Sequence, residues 1–171
     1  MNPRQIRRAR DLASVFALQR RHPARLEVTG QAGDPVRELQ LALRIPTAVD
    51  DRFPRRRRNG CRALLEIPAP YPFEPARVTL LDSVFNPNVF PSGLVCVGWA
   101  QGLNWTLGDL VWRVMRILAL DPEIISCERP ADADAAEWYL EALDTGIFPS
   151  VALLAEGIPP GEGIVFRESR A

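Results

Sequence analysis

Three cysteines, Cys61, Cys96 and Cys127, and one histidine, His22, bound the chemistry open to this chain. An odd number of thiols cannot all pair. There is no Cys-x-x-Cys spacing and no further histidine to complete the four ligands of a zinc site, so metal binding is disfavoured. His22 stands directly before Pro23. A Ser-His-Asp or Cys-His relay is disfavoured as well, and any nucleophile here has to work without an imidazole base. The three thiols differ in their surroundings. Cys61 opens an aliphatic run and reads as a core residue, and Cys127 follows Ile124-Ile125 in a loop and reads as structural. Cys96 lies in a stretch, Asn86 to Gln101, that is interrupted by Pro87, Pro91, Gly93 and Gly98. No long regular element forms through such a sequence, so Cys96 is expected on an irregular surface segment.

The elements that must position this segment are legible as periodicities. Ile6, Ala9, Leu12, Ala13 and Phe16 recur at three and four residues from Pro3 to Arg21, an amphipathic helix ended by His22-Pro23. Four short aliphatic runs follow: Leu26 to Val28, Leu39 to Ile45, Cys61 to Ile67 and Val78 to Leu81. Gly, Pro and Asp separate them, which predicts an antiparallel meander of four strands. An exposed loop, Asp50 to Gly60, carries Arg55 to Arg58 and an Asn-Gly turn signal. Leu110, Val111, Val114, Met115 and Leu118 make the stripe of a second helix over Gly108 to Leu120, stopped by Asp121-Pro122. A third helix is expected over Asp132 to Leu143, capped by Asp132 or Asp134 and followed by Gly146. Residues 145–171 read as a Pro/Gly-rich tail, with Ile164-Val165-Phe166 able to dock. Residues 1–144 form the domain proper.

Length and composition fit one soluble domain. The chain has 171 residues, 47% of them hydrophobic and 25% charged, with 21 basic and 21 acidic side chains. A core of this size buries roughly 70% of the unfolded surface, so neither disulfides nor a metal are required. Met1 to Arg10 is arginine-rich without a following apolar stretch, and no run approaches the roughly 18 apolar residues of a membrane span. The expected location is the cytoplasm, with reduced thiols and no membrane contact.

Tyr71-Pro72-Phe73-Glu74-Pro75, then Phe85-Asn86-Pro87-Asn88-Val89, then Gly93-Leu94-Val95-Cys96, then Trp105-Thr106 and finally Asp121-Pro122 resemble the core of the ubiquitin-conjugating enzymes. In that family a Tyr-Pro-Phe-x-Pro-Pro precedes the fourth strand. A His-Pro-Asn and, eight residues beyond its asparagine, a cysteine follow, and then Trp-Ser-Pro, a crossover helix and Asp-Pro. The resemblance covers Met1 to about Leu143. It implies an α/β (α+β) fold of that type, with an N-terminal helix, a four-stranded antiparallel meander, an active-site loop, a crossover helix and a shortened C-terminal helical part. Departures mark a divergent member: Asn86 replaces the histidine, Ala76 the second proline, and Thr106-Leu107 the Ser-Pro. Such divergence suggests a bacterial conjugation operon, of a kind used against phage.

The resemblance implies that Cys96 accepts the C-terminal carboxyl of a ubiquitin-like protein as a thioester from an activating enzyme and passes it to a lysine amine, or a hydroxyl, of a target protein. Thiol exchange needs little base, because a few per cent of a thiol of pKa about 8.5 is thiolate at neutral pH. Asn88 is implied either to stabilise the tetrahedral oxyanion or to brace the nearby loop. Ser126, with Glu128 as the neighbouring candidate, falls where the family carries a residue that orients the attacking amine. No cofactor is implied. The first helix is implied to contact the activating enzyme through Arg4, Arg7 and Arg8, which otherwise read, with Arg10, as a solvated face. The alternative is a catalytically silent binding or scaffold module of the same fold, a variant that generally lacks the cysteine.

The run Arg55 to Arg58 sits beside Asp50 and Asp51 in a chain of zero net charge and lacks interleaved aromatics, so nucleic-acid binding is disfavoured. Every basic residue is arginine and none is lysine. GC-rich coding favours that bias, and so does a thioester: arginine keeps its charge but offers no neutral amine to be modified.

Overall fold

The computed structural model describes residues 2–98, 104–148 and 154. Helix α1 spans Pro3–Arg21. Asn2 accepts the Gln5 amide at its start and the Gln5 side chain returns the bond, a reciprocal cap that satisfies two orphan donors. The chain then forms strands β1 (Leu26–Ala32), β2 (Glu38–Leu43), β5 (Cys61–Glu66) and β6 (Arg77–Leu80), with a minor pair, β3 (Thr47–Ala48) and β4 (Arg57–Arg58), between β2 and β5. The four longer strands make one antiparallel sheet in the order β1-β2-β5-β6. This is the expected meander, and the whole is the mixed α/β architecture expected from the sequence.

The burial alternates as a half-covered sheet requires: Leu39, Leu41, Leu43, Cys61, Ala63 and Leu65 point inward, while Glu38, Gln40, Arg62 and Glu66 point out. Helix α2 (Leu107–Leu118) carries its stripe, Leu110, Val111, Val114, Met115 and Leu118, into the same core. It crosses α1 closely. A side-chain carbon on Gly108 would lie 2.8 Å from the Ser14 carbonyl, and the Gly108 amide donates to the Ser14 hydroxyl at 2.8 Å.

Three differences from the expected elements have physical reasons. The loop expected between the second and third long strands folds back as the β3–β4 pair, because Phe53 is buried in a second cluster with Leu120 and Tyr139. Arg52 and Arg56 there pair with Asp50 at 2.7 and 2.8 Å. Helix α2 stops at Leu118, two residues early. Leu120 takes a left-handed φ of 56°, unfavourable for a branched side chain, and it is held by full burial and by the Tyr139 hydroxyl donating to its carbonyl at 3.3 Å. Beyond residue 144, Ile147 and Phe148 pack on that cluster and Leu154 is fully buried in the main core. Helix α3 (Ala133–Ala142) starts on the Asp132 side chain, which accepts the Ala135 amide at 3.0 Å. The remaining tail, with Ile164-Val165-Phe166, lies outside the described residues.

Candidate active site

The segment after β6 is irregular yet tightly bonded. Gly93 adopts φ +87°, and a side-chain carbon there would lie 2.3 Å from the Leu80 carbonyl, so only glycine lets residues 93–95 close on β6. Leu80 donates to Gly93 O at 2.8 Å and Val95 to Val78 O at 2.9 Å. This covers the outer edge of the sheet and delivers Cys96, half-buried, to the end of the turn.

One asparagine then clamps the cysteine and a second braces the first. The Cys96 amide donates to Asn88 O at 2.7 Å, and the Asn88 carboxamide nitrogen donates to Cys96 O at 2.9 Å. Asn88 Oδ1 accepts the Ser126 amide at 3.0 Å, so one buried side chain joins the thiol-bearing turn to the segment after α2. Asn86 is fully buried: its oxygen receives the Asn88 amide at 2.9 Å and its nitrogen donates to Ile117 O at 2.8 Å, near the end of α2. Pro87 O receives the Ala131 amide at 2.7 Å. Asn86 and Asn88 thus tie three chain segments together around Cys96.

The sequence-expected residues divide. Cys96 and Asn88 come together, and Ser126 joins them through its backbone amide while its side chain is exposed. Glu128 is exposed two residues further on. Residues 99–101, the end of the stretch Asn86 to Gln101, lie outside the described residues. Cys61 is buried in the core, where desolvation pushes its thiol up to about 12, and the half-buried Cys127 is likewise raised by burial. Among the described residues no group of three His, Cys, Asp or Glu is placed to hold a metal ion.

The structure corrects the reading of the first-helix arginines as one exposed face. Arg8 is buried, and its guanidinium donates to Val36 O at 2.6 Å, Ile67 O at 3.1 Å and Pro68 O at 3.4 Å. It fastens α1 to the sheet and is not presented to a partner. Arg7 pairs with the fully buried Asp11 and donates to Trp105 O at 2.6 Å. Asp11 also receives the Tyr71 hydroxyl at 2.5 Å, and burial with this bond raises the Tyr71 phenol above its ordinary range. Arg4 alone of the three is exposed, 4.9 Å from the ring centre of the exposed Phe73.

Sequence reasoning left Asn86 open between capping and bracing, and the structure makes it a two-sided brace; it gave Arg113 no role. Arg113 lies on α2 with its Nε 2.7 Å from Val97 O, one residue beyond Cys96. Only a basic residue flanking the apolar stripe marked it in the sequence.

A model of the family described as ubiquitin-conjugating enzyme matches residues 60–145, half of the chain. Two curated relatives are ubiquitin-conjugating enzymes E2 of African swine fever virus, from isolate Pig/Kenya/KEN-50/1950 and from the Vero-adapted strain Badajoz 1971. Each is 27% identical, over 86 and 85 residues respectively, 46% of this chain. The matches span 39% and 40% of the viral proteins, so the chain covers about two fifths of the length of these relatives. The matched stretch runs from the start of β5 through the asparagine clamp to the turn after α3, and on it the chain belongs to the ubiquitin-conjugating enzyme family.

Proposed function

We propose that this chain carries a ubiquitin-like protein as a thioester on Cys96, taking it from an activating enzyme and passing it to a lysine amine, or a hydroxyl, of a target protein. The observation that carries this reading is the clamp: Cys96 alone of the three cysteines sits on a surface turn whose backbone is fixed on both sides by a buried asparagine. In loading, the Cys96 thiolate attacks the incoming thioester carbonyl. A carbon–sulfur bond forms, and the tetrahedral alkoxide collapses by expelling the activating enzyme's thiolate. In transfer, the amine attacks the same carbonyl, loses a proton and expels Cys96.

A carboxamide nitrogen has two N–H groups, and the Cys96 carbonyl takes one from Asn88. The second is the donor for the oxyanion, a contribution of about 3 kcal/mol when well aimed. Ser126 and Glu128 border the amine's approach, and both are exposed beside the clamp. Arg4 is the contact for the activating enzyme that α1 presents. Residues 1–144 act as the catalytic unit and 145–171 as a tail docked on it through Ile147, Phe148 and Leu154. A reducing cytoplasm suits three free cysteines. The bacterial defence setting rests on sequence divergence alone. No helix among the described residues is long and apolar enough to cross a membrane.

The test is discharge. Loaded protein mixed with free lysine should lose its adduct as an amide of the ubiquitin-like protein with lysine appears. An adduct that lysine does not consume, and that decays only by hydrolysis, would contradict transfer.

A further inference from the structure

Helix α2 turns its apolar stripe to the core and sets Arg113 on the flank that faces the turn after Cys96. The side chain is half-buried. Its Nε donates to Val97 O at 2.7 Å, and its guanidinium carbon lies 5.6 Å from the Trp105 ring centre. Its terminal nitrogen is 3.6 Å from where a side-chain carbon on Gly98 would stand. The guanidinium is therefore fixed by a hydrogen bond and a ring face at Val97, the residue that follows Cys96.

Among the described residues Arg113 has no carboxylate partner. Arg116, one turn on, takes both acidic neighbours, Asp121 at 2.5 Å and Glu123 at 2.6 Å. A half-buried cation without an anion is partly desolvated, and perturbed charges cluster where function needs them. Burial and the like charge of Arg116 lower the Arg113 guanidinium from its ordinary value, opposed by attraction to Asp121 and to Cys96. Arginine nonetheless stays protonated at neutral pH.

We infer that Arg113 is an electrostatic positioning residue for Cys96, supplying a fixed positive charge to the thiolate and to the tetrahedral oxyanion formed on it. The inference rests on Cys96 being the carrier. Through loading, one negative charge passes from the Cys96 sulfur to the alkoxide oxygen and then to the departing thiolate. Arg113, held at Val97 O one residue beyond Cys96, supplies its charge throughout and gives up no proton.

Two measurements test this. The first compares alkylation of Cys96 by anionic iodoacetate and neutral iodoacetamide, followed peptide by peptide in the mass spectrometer. The rate ratio cancels the ionisation of the thiol and reports the local field. It should be about fivefold higher in the folded, unmutated chain than in the same chain in urea. It should drop toward the urea value in Arg113→Gln and persist in Arg113→Lys. The second is single-turnover loading, which should slow about tenfold in Arg113→Gln and recover most of the loss in Arg113→Lys. A folded ratio equal to that in urea would overturn the inference without any variant having to fold. So would equal loading losses in the Gln and Lys variants, which would show that only the bond to Val97 matters. If the ratio behaves as expected while loading is absent in every form, the carrier reading fails rather than the charge at Cys96.

Discussion

Replacing Asn88 by alanine separates bracing from catalysis. The carboxamide makes two bonds, to Cys96 O at 2.9 Å and from the Ser126 amide at 3.0 Å, and the residue is 4% exposed. Each bond contributes about 1 kcal/mol net, and leaving a buried partner unpaired costs about 1–3 kcal/mol. Asn88→Ala should therefore lower stability by about 2–4 kcal/mol, read as a shift of the urea midpoint at unchanged slope. Its effect on the chemistry is larger and confined to one step. Loss of an oxyanion donor of about 3 kcal/mol predicts roughly a hundredfold slower discharge to lysine. Loading should persist, because a thiolate is both a good nucleophile and a good leaving group and exchange between similar thioesters is undemanding. Asn88→Asp sharpens the contrast. It keeps an acceptor for Ser126 but sets a carboxylate against the Cys96 carbonyl, so discharge should suffer at least as much. The assay is single-turnover loading and lysine discharge, measured separately on chains shown to be folded. Equal losses in both steps would refute the division of labour.

Three further outcomes follow from the structure. Asp11→Ala removes a fully buried carboxylate from Arg7 and the Tyr71 hydroxyl, and breaking such a pair should cost about 3–5 kcal/mol in urea unfolding; a loss below about 1 kcal/mol would show that the pair holds nothing. His22 is buried and stacked on Trp112 at 4.9 Å; desolvation lowers its pKa from 6.5, with Arg21 adding to the decrease. Below pH 6.5 the unfolded chain gains a proton that the folded chain refuses, so this contribution is complete above 6.5 and is lost as the pH falls toward the folded value. Urea midpoints at about pH 7.5 and about pH 5.5 should differ less in His22→Phe than in the parent. Glu128→Lys places an amine on an exposed position, two residues beyond Ser126, in a chain without lysines, and it should acquire a thiol-resistant adduct after loading; a stably loaded, unmodified variant would show that the missing lysines protect nothing there.

Much of this was legible in the sequence because periodicity reports burial directly. The stripe of α2 and the alternation in β2 and β5 are one-dimensional records of which face meets the core. The relation of Asn88 to Cys96 was implied by the resemblance, whose eight-residue spacing this chain keeps. The roles of the arginines were not. Arg4, Arg7 and Arg8 are neighbours in sequence, yet one is exposed, one is bound to Asp11 and Trp105, and one is buried against three carbonyls. Their acceptors lie 28 to 98 residues away, so no local pattern encodes them. Asn86 was ambiguous for the same reason: its partner is Ile117, on another element. The early end of α2 was hidden because burial of Leu120 overrides its backbone preference.

Carriage depends on Cys96, and the direct measurement is a loading reaction with activating enzyme, ubiquitin-like protein and ATP, resolved on a gel with and without thiol. The parent should form an adduct that thiol removes. Cys96→Ser should form instead an ester that thiol leaves intact, whereas Cys61→Ser and Cys127→Ser should load as the parent does. A thiol-sensitive adduct that survives Cys96→Ser would place the carrier elsewhere and contradict the mechanism.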